Sequence, residues 1–454
     1  FHAGPAVIIS FLIAGIVCGA AVMCYAEFAS MIPVAGSAYT FTYTTVGEIM
    51  AWIIGWDLIL EMLMAGSVIS KYWGVYLNDF MRLMGWNANT NLTFGSFHID
   101  IAPIIIVAFF TTLLVFGTKI GARVDGAMTV LKIAIVFFVV IVGFFYVKAS
   151  NFTPFIPPSQ PASTVEGSSA VTGVMTQPLW QFATGMTPSV YGVPGILSGA
   201  ALVFFAFIGF DVVATASEET KNPHKNVPLG IGVGMLLIIV MYMLVAVVTT
   251  GMVSYADLAK QDSPSLATAF ELVGADWAAK IISFGIVLGL ATVVMVLLLG
   301  LTRIVFAMSR DGLLPRGLSK TGKHGTPAAL QIVVGAVVAL VAAFFDIGVL
   351  SDMVNIGTLS AFTLVAISIP IMRKKRPDLP RAFKMPGSPW IPILIAVANF
   401  WLMLNLSVLT WIRFVVWLVV GFAIYFGYGY WHARLGKGDL TETLSAETDK
   451  AVNG

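Results

Sequence analysis

Eleven long apolar runs, separated by short polar stretches, form the dominant pattern of this sequence. Each run is close to the ~20 residues that a helix needs to cross the hydrocarbon core of a bilayer. None alternates in polarity over about ten residues, as the strands of a membrane barrel do. The pattern therefore predicts an all-α polytopic membrane protein. The runs cover residues 4–26, 47–70, 101–118, 127–147, 196–217, 228–252, 279–307, 328–345, 353–371, 390–408 and 411–430.

The amino-acid composition points the same way. Of the 454 residues, 58% are hydrophobic and only 11% are charged, against about 25% in an ordinary soluble domain. A soluble globule cannot bury that much apolar surface, so the composition indicates an integral membrane protein. The net charge is +2, and no basic cluster with interleaved aromatic residues suggests a nucleic-acid partner.

Lysine and arginine are unevenly divided between the two sets of loops. Seventeen lie in the loops after the third, fifth, seventh and ninth runs and in the tail, against five in the other loops. The positive-inside rule places the richer side in the cytosol. Residues 149–195 contain no lysine or arginine and are predicted to lie outside.

The same orientation sets the predicted domain limits. Residues 1–430 form the transmembrane domain, and residues 431–454 form a polar cytoplasmic tail. The first run then starts outside and crosses inward, so we expect at least one further helix before it. The absence of organelle signals favours a bacterial cytoplasmic membrane.

Charged residues inside apolar runs are costly and are candidates for function. Glu27 and Arg303 lie near cytosolic ends, where an anchor or ion-pair role is expected. Arg413 is placed in the turn between the last two runs and is interpreted as structural. The full set is Glu27, Asp57, Glu61, Lys132, Asp211, Arg303 and Arg413.

Three of these charges lie deeper in their runs. Asp57 and Glu61 are four residues apart, so they share one helix face, which must look inward. The sequence leaves open whether that face is functional or structural. Lys132, in "MTVLKIAIVFF", either pairs with a carboxylate or titrates during function.

The stretch "FFAFIGFD", which ends at Asp211, has the pattern of a broken helix. Bulky rings flank a glycine that tolerates unwinding. Unwound backbone at membrane depth survives only around a ligand or a water-filled cavity, and such breaks form binding sites in transporters. The alternative is a single Asp that caps a half-helix.

Other functional classes receive little support. Cys18 and Cys24 are interpreted as small apolar filler, because no second ligand lies near them. No TVGYG-type filter indicates an ion channel. Nucleophilic or metal chemistry in the membrane core would require histidine there. All five histidines lie outside the runs or at their ends, at His2, His98, His224, His324 and His432.

Three stretches together resemble the permeases of the amino acid–polyamine–organocation superfamily, and most closely its cationic amino acid transporter family. The resemblance covers essentially the whole chain. Its motifs are "EFASMIPVAGSAYTFTYTTVGE" (27–48), "FFAFIGFDVVATASEETKNPHKNVPLGI" (204–231) and "SRDGLLPRGLSKTGKHGTPAALQ" (309–331).

The resemblance implies a LeuT-like fold of two inverted five-helix repeats. Family members have at least twelve helices, and their first helix carries a glycine-rich break. No such motif precedes Gly4, so the eleven runs correspond to family helices two to twelve, with the first helix missing from this sequence. The fifth run corresponds to the other broken helix.

Site residues follow from the resemblance by position. The carbonyls of Phe204, Ala206, Phe207 and Ile208 are expected to face the substrate ammonium, and Phe205 to cover the substrate. Asp211 matches an acidic position near the inner edge of the site, which binds a cationic side chain or carries a proton. Looser alignments add Glu61, Met62 and Met295.

The resemblance also suggests the coupling ion and the substrates. Lys132 aligns near the place where sodium-coupled relatives of this fold bind sodium, so proton coupling is expected and no cofactor or metal. The structural alternative is a permanently charged lysine that holds helices together. Predicted substrates are L-amino acids, with neutral ones such as alanine at least as favoured as arginine. An exchanger or a non-transporting sensor remains the alternative. Membrane lipid is a further expected partner. The sequence carries no signal for or against a small membrane subunit or a bound sterol.

Overall fold

The computed structural model of the chain describes most of the membrane domain. The described residues are 2–31, 39, 42–43, 47–86, 90–94, 97–117, 122–164, 173–209, 222–261, 264–322, 325–375, 377, 381 and 383–433. Helices dominate this part of the chain. In chain order they are α1 (Val7–Met31), α2 (Glu48–Leu83), α3 (Ile101–Val115), α4 (Ala122–Phe144), α5 (Leu179–Thr184), α6 (Gly192–Val203), α7 (Pro223–Met252), α8 (Tyr255–Ala259), α9 (Leu266–Leu272), α10 (Asp276–Arg310), α11 (Ala328–Phe344), α12 (Ile347–Lys375), α13 (Trp390–Leu404), α14 (Val408–Ile424) and α15 (Tyr430–His432).

Each of the eleven predicted runs contains a helix, so the prediction of a polytopic helical membrane protein is confirmed. Among the described residues, seven helices are long and apolar enough to cross a membrane. Four shorter apolar helices occupy the remaining runs, at Ile101–Val115, Gly192–Phe207, Ala328–Phe344 and Trp390–Leu404.

Helix α2 extends well beyond the predicted end at residue 70, to Leu83. Its last turns are polar, which is why the apolar run stops early. The polar side chains find partners: Arg82 lies 3.3 Å from Asp79 and 2.8 Å from Glu271 of α9. Partnered charges allow the helix to continue past the apolar stretch.

The sequence pattern predicted Arg413 in a turn, but the structure places it in a helix. Helix α14 begins at Val408, so Arg413 lies within its second turn. The cause is local, because Ser407 caps the helix and its side chain accepts a hydrogen bond from the Thr410 N–H at 3.2 Å.

Two short antiparallel strand pairs lie between the described helices. Strands β1 (Asn91–Phe94) and β2 (Phe97–Asp100) pair antiparallel in the register Asn91↔Asp100, directly before α3. Strands β3 (Gln160–Pro161) and β4 (Ser189–Val190) pair within the long segment predicted to lie outside. This segment therefore contains local structure that its polar composition did not predict.

The helices pack in two groups. Helix α1 packs against α6 and α7, while α2 packs against α10 and α12. The sequence gives a reason for the first contact, because Gly15 and Gly19 form a small-xxx-small pair on α1. A Cβ at Gly15 would lie 2.9 Å from Ile239 Cγ1 of α7, so only glycine permits this approach.

An ion pair links the two groups at one end of the bundle. Both carboxylate oxygens of Glu27 accept hydrogen bonds from Arg373 of α12, at 2.9 and 2.7 Å. The Met385 N–H also donates to Glu27, at 2.7 Å. The side chain of Glu27 is fully buried. The expected ion-pair role of Glu27 is thus confirmed.

Tryptophans join α2 to α14. The Trp56 Nε1–H donates to the Trp417 carbonyl at 2.8 Å, and the Trp417 Nε1–H donates to the Trp56 carbonyl at 3.3 Å. The two rings stack with centroids 4.5 Å apart. Gly421 packs directly on the Trp56 indole, so a larger residue there would displace the ring.

Candidate functional site

Helix α6 breaks at the position that the sequence predicted. The α-helix ends at Val203, and a single 3₁₀ turn, Phe204–Phe207, follows it. Ile208 is extended, with φ −72° and ψ 143°. Gly209 has φ +122°, which L side chains rarely adopt, so glycine is required there. Asp211 lies outside the described residues.

The backbone acceptors freed at this break are taken up by side chains of three helices. The Tyr242 hydroxyl of α7 donates to the Ala206 carbonyl at 2.7 Å. The Cys18 thiol of α1 lies 3.9 Å from the Phe207 carbonyl, within reach of a weak S–H···O bond. The Asn355 amide of α12 donates to the Leu202 carbonyl at 3.3 Å. Buried polar backbone is thereby satisfied without helical bonds.

Aromatic rings fix the turn from both sides. Phe207 meets Tyr242 and Phe11, with ring centroids 5.2 and 6.3 Å apart. On the other side, Phe204 is fully buried and packs edge-on against Phe362 of α12 at 5.8 Å. The unwound turn is therefore held between the two helix groups.

A cavity of about 610 Å³ lies beside the break. Residues of α2, α4, α7 and α10 complete its wall, and the wall is mostly apolar. The lining residues outside the break are Ala65, Ile69, Lys132, Gly230, Ile231, Gly234, Met235, Ile238, Tyr242, Leu290, Val293, Val296 and Leu297. A smaller cavity of about 360 Å³ shares Ala206 and Tyr242 as part of its wall.

Lys132 contributes the cationic side chain of the larger cavity. It reaches the cavity along Gly289 of α10, where a Cβ would lie 3.2 Å from Lys132 Cγ. The glycine lets the lysine stem pass between α4 and α10. The sequence did not predict this contact, since Lys132 and Gly289 are far apart along the chain.

The structure brings together half of the predicted site residues. Phe205, Ala206, Phe207, Ile208 and Lys132 line the same cavity. Of the remaining predicted residues that the structure describes, none lines it. Phe204, Glu61 and Met62 are buried in the core, and Met295 packs against that core while its neighbour Val296 faces the cavity.

The predicted face of α2 is inward-facing. Asp57 and Glu61 are both fully buried. Asp57 accepts a hydrogen bond from the Ser360 hydroxyl of α12 at 2.7 Å. Gly357, one turn before Ser360, would place a Cβ 3.6 Å from the Asp57 carbonyl oxygen. This acid therefore sits at a close crossing of α2 and α12.

Sequence reasoning missed two residues of the site. Cys18 was interpreted as small apolar filler, and it is indeed buried in the core, but its thiol also lies 3.9 Å from the Phe207 carbonyl. Tyr242 lies within an apolar run and was not predicted as a site residue. A tyrosine in an apolar run could have indicated a buried polar contact, since a buried tyrosine hydroxyl usually has a hydrogen-bond partner.

Comparison with known proteins agrees with this architecture. The sequence profile of the family described as "Amino acid permease" matches residues 2–428. The chain is 42% identical to the branched-chain amino acid permease BcaP of Bacillus subtilis, over 96% of this chain and 88% of that protein.

Two further relatives carry different names. The methylthioribose transporter of Bacillus subtilis is 39% identical, over 96% of this chain and 88% of that protein. The mitochondrial cationic amino acid transporter 3 of Arabidopsis thaliana is 37% identical, over 82% of this chain and 57% of that protein. With a matching family profile over nearly its full length, a broken apolar helix and a multi-pass helical fold, the chain belongs to the amino acid permease family of the amino acid–polyamine–organocation superfamily.

Proposed function

We propose that this protein is a secondary active transporter of L-amino acids that works by alternating access. The observation that carries the proposal is the break in α6, whose backbone borders a cavity of about 610 Å³ between membrane helices. Backbone carbonyls aimed at such a cavity can bind an ammonium group without a fixed charge. Membership in the amino acid permease family supports the same reading.

The proposed fold is the LeuT-like arrangement of two inverted five-helix repeats, with α6 as its broken helix. The site consists of the carbonyls of Phe204, Ala206, Phe207 and Ile208, with Phe205 over the substrate. The family alignment adds Asp211, Glu61, Met62 and Met295 as further candidates, of which the last three do not line the cavity. Residues 1–430 form the transport domain, and 431–454 a cytoplasmic tail in a bacterial cytoplasmic membrane.

The proposed substrates are broad in range, with neutral amino acids at least as favoured as cationic ones. Among its described lining residues, the cavity has one cation, Lys132, and no carboxylate. A basic side chain would meet repulsion there, whereas an apolar one would find apolar partners. The name of the Bacillus subtilis BcaP relative, a branched-chain amino acid permease, is consistent with this preference.

Coupling to protons is assigned to Lys132. Its side chain lies at the cavity wall, between α4 and α10. Gain and loss of a proton there would change the electrostatic potential of the substrate cavity. Such a change links proton movement to substrate binding and release.

The test is uptake by the full-length protein in proteoliposomes. Labelled alanine, leucine, arginine and methylthioribose are each supplied in sodium-free buffer, with and without an inward proton gradient. The proposal expects gradient-stimulated, saturable uptake of alanine or leucine that exceeds the uptake of arginine.

Each alternative gives a different result. Uptake that requires amino acid loaded inside the vesicles would identify an exchanger. Uptake of methylthioribose alone would contradict amino acid transport. No flux and no counterflow of any substrate, beside an active control protein in the same lipid, would favour a sensor.

A further inference from the structure

We infer that Tyr242 and Cys18 are positioning residues of the substrate site, which hold two successive carbonyls of the unwound turn in place from two neighbouring helices. The inference rests on the proposed function, because it assigns roles within the same site. Neither residue is predicted by the sequence motifs of the site.

The stronger contact is made by Tyr242. Its hydroxyl donates to the Ala206 carbonyl at 2.7 Å, a short distance for an O–H···O bond. A carbonyl oxygen has two lone pairs, so this bond orients the group and leaves one lone pair for a ligand ammonium. Tyr242 and Ala206 also form the shared wall of the two cavities.

The second contact comes from α1. The Cys18 thiol lies 3.9 Å from the carbonyl of Phe207, the next residue of the turn. The Phe207 ring is packed against Phe11 of α1 and Tyr242 of α7. Each of these two helices thus supplies one ring and one donor to the same turn.

The two donors are presented by a closely packed pair of helices. α1 and α7 approach closely where Gly15 faces Ile239, and Cys18 and Tyr242 each lie three residues further along their helices. A shift of α1 or α7 would therefore disturb the contacts to the carbonyls of Ala206 and Phe207. The geometry of the turn therefore follows α1 and α7, in addition to its own helix α6.

The experiment compares three variants with matched controls in the full-length protein. Tyr242→Phe removes the hydroxyl, Cys18→Ala removes the thiol, and the third variant combines them. Cys24→Ala is the control on α1, since Cys24 is equally buried and is the second cysteine of the chain. Tyr255→Phe on α8 is the control for loss of a tyrosine hydroxyl.

Two readouts are taken on every variant. The first is amide hydrogen exchange of residues 204–209 without substrate, which reports opening of the turn itself. The second is the separation of KM from the maximal uptake rate. A general loss of structure lowers the active fraction and hence the maximal rate, whereas a misplaced ammonium site raises KM.

Loss of one neutral hydrogen bond predicts a threefold to tenfold change, roughly, in exchange and in KM for Tyr242→Phe. Cys18→Ala should change exchange and KM by only about twofold, since a thiol is a weak donor. Maximal rates should stay within about twofold of wild type. The two control variants should match wild type in both readouts.

Different results would contradict the inference and the proposed function. Unchanged exchange in 204–209 for Tyr242→Phe and the double variant would overturn the inference, even if wild type transports amino acids. An equal fall in maximal rate and thermal stability at constant KM would overturn it as well. Faster exchange in a protein that transports no amino acid would support the positioning role and contradict the proposed function.

Discussion

Lys132 is the residue whose charge we expect to couple transport to protons. Lys132→Ala should abolish the pH dependence of uptake while substrate binding persists, because the backbone carbonyls of the break remain in place. The measurement is uptake from pH 5 to 8, together with binding of labelled substrate to the purified variant.

The control for Lys132→Ala lies beyond the end of the same helix. Lys148 follows α4 and lines a separate cavity, so Lys148→Ala should keep the wild-type pH profile. A wild-type profile in Lys132→Ala would instead support the alternative of a permanently charged lysine that holds helices together.

Glu27 is a residue whose loss should cost stability. Glu27→Gln removes a fully buried carboxylate that pairs with Arg373 and lies 3.7 Å from Arg381, which predicts a loss of roughly 3 kcal/mol in the free energy of unfolding. The midpoint of thermal unfolding should fall by several degrees. Asp257→Asn is the contrast, because its ion pair with Lys260 is more than half exposed on both sides and should contribute almost nothing.

At the scale of elements, α6 shows how far sequence patterns reach. The run of rings before Gly209 predicted a break, and the helix does end at Val203. The partners of the freed carbonyls were not predictable, because Cys18, Tyr242 and Asn355 lie far from the turn in sequence. Only the packing of α1, α7 and α12 around the turn decides which side chains reach it.

The contact of α2 with α14 gives a prediction about packing. Gly421→Val should force the Trp56 indole aside and break the reciprocal bonds with Trp417, at a cost of about 1–3 kcal/mol. The thermal unfolding midpoint should fall, and KM should stay unchanged because the contact does not line the substrate cavity.

Gly427 provides the matched control for this prediction. It lies six residues further along, in the π-helical turn Tyr425–Gly429, and a Cβ there meets no atom within 4 Å. Gly427→Val should therefore leave the unfolding midpoint near wild type. Equal losses for both variants would show that the effect arises from the helix backbone and not from the Trp56 contact.

For the whole molecule, the distribution of lysine and arginine predicts the orientation in the membrane. Single cysteines introduced in a background of Cys18→Ala and Cys24→Ala would be labelled with an impermeant reagent in intact cells. We expect labelling at Thr164 in the long segment without basic residues, and none at Ser319 in the basic loop after α10. The opposite pattern would reverse the proposed orientation and place the C-terminus outside.

The sequence by itself determined the helical membrane class, the eleven helical segments and the family. Those features depend on local composition, on stretches of about 20 apolar residues and on short motifs, all of which are written in contiguous residues. It also located the break in α6, since rings and a glycine adjoin there.

The tertiary structure alone decided which of the candidate residues share a site. It joined Lys132 to Phe205–Ile208 in one cavity, and it placed Glu61 in the core and Met295 against it. It also brought in Cys18 and Tyr242. The physical reason is that the two sides of a buried helix are almost equally apolar, so its sequence does not indicate which neighbour each side will meet.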